Sequence, residues 1–208
     1  MRLMAQAPVV REARSLRLAV WVAIVIVGLT DFGYLLIIRI QDPQPPDAFT
    51  TPFVAAYLAL MVAMLGISLL DRPLAVRLRP VFRAAAGAGL LVMGVLALMS
   101  VGVLLVLAAV IVGVTAAISM SHFRLPVLVS QVAAAALAGA VVIAGFEVTG
   151  RLIICPAQGT MGGSGPGFVT GGYHYECVNG RLYMHSGFCS SSGESIDSQG
   201  NVTVTNNC

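Results

Sequence analysis

The four cysteines are residues whose type and spacing indicate covalent chemistry. Cys155, Cys177, Cys189 and Cys208 all follow residue 150, and the long apolar part of the chain before them contains none. An even number of cysteines in a short polar segment is typical of disulfide bonding, which requires an oxidising compartment. The alternative, zinc binding by a cytoplasmic tail, is disfavoured because the spacing contains no CxxC pair. We therefore expect two disulfides, with all three possible pairings open.

Asp31 is the strongest candidate for chemistry within the apolar part of the chain. It lies slightly past the middle of the first long apolar run. A carboxylate at that depth in a membrane is costly unless it faces other helices or water, or is protonated. Such a residue could be a proton or cation site, or a polar contact to a partner subunit. The structural alternatives are a hydrogen-bonded kink near Gly28 and Gly33, or a carboxylate that reaches the outer membrane interface.

Two histidines and one glutamate form a third candidate group. An Asn-Gly turn between two strand-like segments places His174 opposite His185, with Glu176 diagonal to the pair. Two imidazoles and a carboxylate could bind zinc and leave one ligand position open. A solvated polar face explains the same pattern, since Glu176 is also diagonal to Arg181. We expect no metal and no other cofactor, and we keep the three residues only as candidates.

Composition determines the class of protein that must position these residues. Of 208 residues, 58% are hydrophobic and only 10% are charged, whereas soluble domains carry about 25% charged residues. This composition excludes a disordered chain, a nucleic-acid-binding module and an ordinary soluble enzyme. All twelve basic residues are arginine, which is typical of a high-GC, bacterial genome. We expect an integral membrane protein whose first partner is the lipid bilayer.

The apolar runs predict how many helices cross the membrane. Crossing about 30 Å of hydrocarbon takes roughly 20 helical residues, and the run over 84–120 is too long for one helix at any reasonable tilt. We therefore split it and predict an all-α bundle of five transmembrane helices, over 18–38, 51–70, 82–100, 102–120 and 127–148. A model with four spans and one long third helix is left open.

The arginines predict the orientation of the bundle. Four of them precede the first span and four more cluster between residues 72 and 83, and such clusters mark the cytoplasmic side. We predict a multi-pass plasma-membrane protein with a cytoplasmic tail over 1–17, a bundle within 18–150 and an extracytoplasmic domain over 151–208. Five crossings from a cytoplasmic N-terminus place the C-terminal tail outside the cell membrane. Disulfide bonds in that tail also require the oxidising, extracytoplasmic side.

The segment after the last span is predicted to be a small β-rich domain. Gln158–Gly167 is glycine-rich, and we expect a flexible loop there. The hairpin register predicts one apolar face suited to a small core and one polar face. The residues of the predicted apolar face are Tyr173, Tyr175, Cys177, Leu182 and Met184.

Two further contacts are predicted around this domain. A second strand pair is expected between Glu194–Ile196 and Asn201–Thr205. At the end of the last span, Glu147 precedes Arg151 by four residues, a spacing that favours an ion pair on a helix surface.

These features favour a function without catalysis. The sequence contains no Ser/His/Asp nucleophile set, Walker motif or pair of catalytic carboxylates. We expect an accessory subunit or sensor-like interaction module that binds a membrane protein partner or a second copy of itself, and no nucleic acid. The alternative is a proton- or cation-coupled transporter component that uses Asp31. Metal-dependent chemistry at the hairpin is a third hypothesis.

Overall fold

The structure, a computed structural model, describes residues 13–41, 49–98, 101–120, 125–165, 167, 169, 171–187, 192–196 and 202–206. These residues contain five helices followed by five strands. The helices are α1 Arg14–Gln41, α2 Thr50–Ser68, α3 Pro73–Leu96, α4 Gly102–Met120 and α5 Leu125–Thr149. The strands are β1 Thr160–Gly165, β2 Tyr173–Val178, β3 Arg181–Ser186, β4 Ser192–Ile196 and β5 Val202–Asn206. The prediction of five helices followed by a small β region is confirmed.

The chain divides into two compact units. The first contains the described residues within 1–41 and 54–142, and the second contains those within 42–53 and 143–208. The predicted division into segments 1–17, 18–150 and 151–208 stays a prediction.

Prolines help to fix where the helices begin. Pro52, Pro73 and Pro126 lie within the first three residues of α2, α3 and α5. The first turn of a helix leaves its N–H groups without intrahelical partners, so a residue that lacks an N–H costs nothing there. The long third apolar run forms two helices, as its length predicts: α3 ends at Leu96 and α4 begins at Gly102.

Small residues let α3 lie close to its neighbours in the first unit. A Cβ atom on Gly94 would lie 2.8 Å from Val106 Cγ2 of α4, so this approach is available only to glycine. On α2, the Tyr57 hydroxyl donates to the Ala138 carbonyl of α5 at 3.0 Å. A side chain on Gly89 of α3 would collide with that tyrosine. α3 is therefore packed against helices on more than one side.

In the four long helices α1, α2, α3 and α5, burial and hydropathy run in opposite directions. Over an 18-residue apolar stretch of each helix, mean hydropathy is 2.3 in α5, 2.2 in α1, 1.9 in α2 and 1.3 in α3, while the buried share of that stretch rises through the same series as 11%, 17%, 28% and 56%. These four helices are long and apolar enough to cross a membrane, and the described apolar part of α4, Gly102–Ile118, is shorter. The most enclosed of the four is the least apolar.

The tail contains a three-stranded antiparallel sheet in the order β1-β2-β3. Its hairpin turn has positive φ at both central residues, 47° at Asn179 and 81° at Gly180, as a type I′ turn requires. Cys177 pairs with Leu182 and His174 pairs with His185. The predicted turn and register of the β2–β3 hairpin are therefore confirmed.

The expectation of a flexible loop over Gln158–Gly167 is wrong, because most of this segment forms β1 on the free edge of β2. Gly163 pairs with Tyr175 and Gly165 pairs with Tyr173. In both pairs the tyrosine ring occupies the space that a side chain on the glycine would need. Aromatic rings that cover cross-strand glycines give such a strand the contacts that it cannot make itself.

The prediction of one buried apolar face on the β2–β3 hairpin is confirmed only in part. The residues of that predicted face are Tyr173, Tyr175, Cys177, Leu182 and Met184. Cys177 and Tyr173 are buried, at 0% and 9% exposure, but Leu182 and Met184 are 38% and 41% exposed. Both exposed residues lie on β3, which is an edge strand. A shared face brings burial only where another element covers it, and β3 is exposed along its whole length.

β4 and β5 form a separate antiparallel pair in which Ile196 lies opposite Val202. This pair agrees with the predicted second strand pair, whose first residue on the later strand, Asn201, lies outside the described residues. Cys189 and Cys208 also lie outside the described residues, so their predicted disulfide is untested.

Candidate functional site

Arg79 organises the end of α2 in the first unit. Its guanidinium Nε donates to the Ser68 carbonyl at 2.7 Å, and Nη2 donates to the Leu70 carbonyl at 3.2 Å. The last carbonyls of a helix have no intrahelical partner, and a cation near them also interacts favourably with the helix dipole. A buried arginine of α3 thus caps the preceding helix.

Asp71 lies between two arginines at the same place. It forms an ion pair with Arg17 of α1 and a longer one with Arg79, at 3.5 Å. The hydrogen bond from Arg17, together with the charges of both arginines, lowers the pKa of the Asp71 carboxyl below its usual value. A lowered pKa stabilises the folded state above the unfolded-state pKa, and this contribution is lost as the pH falls through the folded-state pKa. Only strongly acidic conditions should therefore release α1 from this contact.

Three further polar side chains lie in the interior of the first unit. Arg83 is 0% exposed, and Thr115 and Gln131 are each 2% exposed. The Thr115 hydroxyl donates to the Val112 carbonyl at 2.7 Å. Both amide atoms of Gln131 are buried without a hydrogen-bond partner among the described residues. A buried amide in this state costs free energy.

The sequence reasoning missed the buried state of Arg79 and Arg83, which it grouped with the cytoplasmic arginines. A signal was available, because residues four apart on a helix share one face. The face that carries both arginines continues through Ala86 and Leu90, which are fully buried. α3 begins at Pro73, well before the predicted start at residue 82. The predicted start was too late because it followed hydropathy, which charged side chains lower although they do not end a helix.

Asp31 lies on α1 beside the buried face of that helix, which is formed by Val20, Ala23, Val27 and Thr30. The residue is half-buried, and its Oδ1 atom is buried without a hydrogen-bond partner among the described residues. The neighbouring Thr30 hydroxyl donates back to the Ile26 carbonyl at 2.8 Å. No ion pair of Asp31 is found in the described part of the chain.

The hairpin histidines are brought together in register but differ in exposure. His174 is buried at 7% exposure, whereas His185 on the edge strand is exposed. Across the described residues, no three His, Cys, Asp or Glu side chains form a group that could hold a metal ion. His174, His185 and Glu176 therefore do not form such a group in the described part of the chain.

A disulfide joins the segment after α5 to the sheet. It links Cys155 to Cys177, whose Cα atoms are 5.4 Å apart. Cys177 lies near the end of β2, the middle strand of the sheet, and is fully buried. Of the three possible pairings of the four cysteines, only the pairing in sequence order contains this bond.

A polar junction ties the same sheet to the last turns of α5, all within the second unit. Arg151 and Glu147 form the predicted ion pair at 3.0 Å. The Arg151 guanidinium also lies 5.5 Å from the ring centre of Tyr173, and the Tyr173 hydroxyl donates to the Gly150 carbonyl. The Val169 N–H donates to Glu147 at 3.4 Å. These contacts and the disulfide fix β2 to the end of α5.

An aromatic contact anchors the start of α2 in this unit. The rings of Phe53 and Phe146 meet edge to face, with centroids 5.8 Å apart. Phe53 also fills the space above Gly145 of α5, where a Cβ atom would collide with the ring. The first turn of α2 and the last turns of α5 are thus joined by packing.

Taken together, the described residues build fixed structural contacts. Arg79 caps α2, Asp71 pairs with Arg17 and Arg79, and Glu147 pairs with Arg151. Comparison with protein families, with curated proteins and with solved structures found no match.

Proposed function

We propose that the chain is a non-enzymatic, multi-pass plasma-membrane protein that holds a small disulfide-bonded domain on the extracytoplasmic side. It acts as an accessory subunit or sensor-like interaction module, with a membrane protein or a second copy of itself as partner. Helices α1 to α5 are its five membrane crossings.

The observation that carries the proposal is that hydropathy falls as burial rises among the four long helices α1, α2, α3 and α5. In a soluble bundle the most buried helix is the most apolar, because water surrounds the others. Here α3 is the most buried of the four long helices and the least apolar, while α5 is the most exposed and the most apolar. This order fits a surrounding solvent of lipid, in which outward-facing side chains must be apolar and polar groups are tolerated only inside.

The tail supports the role of a presented module. The disulfide and the Glu147–Arg151–Tyr173 contacts hold the sheet on the end of α5. β3 leaves Leu182, Tyr183 and Met184 exposed on an edge strand. An exposed edge with apolar side chains is a surface that protein partners can use. A disulfide also fits the oxidising side of a membrane.

The absence of lysine from the sequence permits a direct test of the topology. The exposed residues Arg181 of β3 and Arg77 of α3 are each replaced by lysine, which gives two single-lysine proteins with unchanged charge. A membrane-impermeant amine reagent is then applied to intact cells and to permeabilised cells. The unmodified protein measures labelling of the terminal amine.

We expect the Arg181→Lys protein to react in intact cells and the Arg77→Lys protein to react only after permeabilisation. Reaction of Arg77→Lys in intact cells, or failure of Arg181→Lys to react until the cells are opened, would overturn the topology. Co-purification in mild detergent tests the partner, and a solitary, monodisperse protein contradicts the role of accessory subunit.

A second candidate function is proton- or cation-coupled transport through Asp31. It is favoured by one observation, the buried Oδ1 atom that has no hydrogen-bond partner among the described residues. A carboxylate held in this state within a membrane is a functional hypothesis by default. Flux measurements on an Asp31 variant separate the two functions, as argued in the Discussion.

A further inference from the structure

The arginines around the start of α1 and the start of α3 are in two different states. Arg17 and Arg79 share Asp71. Arg14, Arg72 and Arg77 are exposed, and no ion pair with any of them is found among the described residues. Five arginines and one aspartate thus lie within residues 14–17 and 71–79, and three positive charges remain for a partner. We call these three residues the arginine rim.

Exposed apolar side chains lie directly beside the rim. On α3, Leu74 and Leu78 are 73% and 45% exposed. These two leucines are four residues apart and share one face of the helix, and Arg77 stands between them in the sequence. On α1, Leu18 is 66% exposed one turn after Arg14. Each helix therefore has an exposed arginine near exposed leucines: Leu18 follows Arg14 by one turn, and Arg77 lies between Leu74 and Leu78.

This arrangement indicates the chemistry of the ligand. A guanidinium binds a phosphate oxygen through a charge-assisted hydrogen bond, and an adjacent leucine needs an apolar partner. A free phosphate ion offers phosphate oxygens but no apolar partner. An anionic phospholipid offers both, because its phosphate headgroup lies directly above its acyl chains.

We propose that the arginine rim binds the headgroups of anionic phospholipids, with the neighbouring leucines against the acyl chains. This inference rests on the proposed membrane function. The Arg17–Asp71–Arg79 contacts link the start of α1 to α3 through Asp71, so that rim residues from both helices face the same layer of headgroups. Each exposed arginine near such a surface contributes about five-fold in affinity, which corresponds to about 1 kcal/mol.

The test measures lipid preference in a bilayer. The full-length protein is reconstituted in phosphatidylcholine, and spin-labelled phosphatidylglycerol and phosphatidylcholine compete for its surface. The variant is Arg72→Gln/Arg77→Gln. The matched control is Arg39→Gln/Arg181→Gln, which removes two exposed arginines elsewhere and changes the net charge equally.

We expect the unmodified protein and the control to prefer phosphatidylglycerol, and the rim variant to lose about ten-fold or more of that preference. High salt should weaken the preference, because it screens the exposed charges. The proposal is overturned if no preference exists, if the rim variant keeps it, or if the control loses as much. Displacement of the lipid by millimolar inorganic phosphate also overturns it, since the ligand would then be the free ion.

Failure of this proposal can be distinguished from failure of the proposed function. A protein that inserts stably in phosphatidylcholine without preferring the anionic lipid contradicts only the headgroup site. A protein that does not insert in any bilayer contradicts the membrane function itself.

Discussion

Asp31 shows how one side chain can separate two functions. It is half-buried beside the face of α1 that packs against α4, and one of its oxygens lacks a hydrogen-bond partner among the described residues. A structural role requires only that the helix tolerate this side chain, whereas a transport role requires its charge. Removing the charge while keeping the shape therefore distinguishes the two roles.

We expect Asp31→Asn to fold and assemble as the unmodified protein does, and ion flux in proteoliposomes to be absent from both. The amide keeps the shape of the side chain and, in the proposed membrane crossing, removes the cost of a carboxylate, roughly 2.5–3.5 kcal/mol at a helix centre. Flux driven by a pH or sodium gradient that disappears in the variant would instead support transport. Loss of a co-purifying partner would make Asp31 a subunit contact.

Gln131 provides the clearest prediction of a stabilising substitution. Its amide is 2% exposed and has no hydrogen-bond partner among the described residues. We expect Gln131→Leu to raise the free energy of unfolding in detergent by about 1–3 kcal/mol, because it removes a buried polar group that gains nothing in return. Thermal unfolding followed by circular dichroism measures this change.

The control is Ser130→Leu at the adjacent exposed position of α5, which adds the same side chain without removing a buried amide. It should change stability by less than about 0.5 kcal/mol. A loss of stability in Gln131→Leu would show that the amide has a partner, such as a buried water molecule.

At the scale of elements, the end of α2 depends on a side chain from α3. Arg79→Gln removes the charged donors that reach the Ser68 and Leu70 carbonyls. We expect the free energy of unfolding to fall by about 1.5–3 kcal/mol, the range for hydrogen bonds to charged groups. Denaturation in a neutral detergent provides the measurement. Arg77→Gln, an exposed position on the same helix, should have little effect, and equal losses in both variants would refute the capping role.

β1 depends on glycine at the position that faces a fixed ring. A Cβ atom on Gly165 would collide with Tyr173, whose ring is held by Gly150 and Arg151. We expect Gly165→Ala to cost about 1–3 kcal/mol through overpacking, and to expose the tail to protease. Gly162→Ala is the matched control, since its Cβ would lie 3.4 Å from the nearest atom. Equal protease resistance of the two variants would contradict this account of the strand.

At the scale of the whole molecule, the Cys155–Cys177 disulfide closes the segment between α5 and β2. A loop of this size contributes about 3 kcal/mol on the chain-entropy estimate. We expect Cys155→Ser/Cys177→Ser to lose protease resistance after residue 150 while the helical circular dichroism is retained. Reduction of the unmodified protein should reproduce this loss. If the helices melt together with the tail, the disulfide stabilises more than the sheet.

Several features of the molecule were determined by local sequence alone. The length of the third apolar run required two helices, and helices α3 and α4 are separate. The Asn179-Gly180 turn determined the pairing of every residue in the β2–β3 hairpin. The spacing of Glu147 and Arg151 predicted their ion pair. Helix length, turn geometry and helical spacing depend on residues close in the chain, so a single sequence is enough to predict them.

Tertiary structure alone decided which side chains are enclosed. Arg77 and Arg79 are neighbours in the same basic cluster, yet Arg77 is exposed and Arg79 is buried against the end of α2. A glycine-rich segment became β1 because Tyr173 and Tyr175 cover it, and Leu182 stayed exposed on β3, an edge strand among the described residues. Burial depends on which distant elements become neighbours, and local patterns carry little information about that choice.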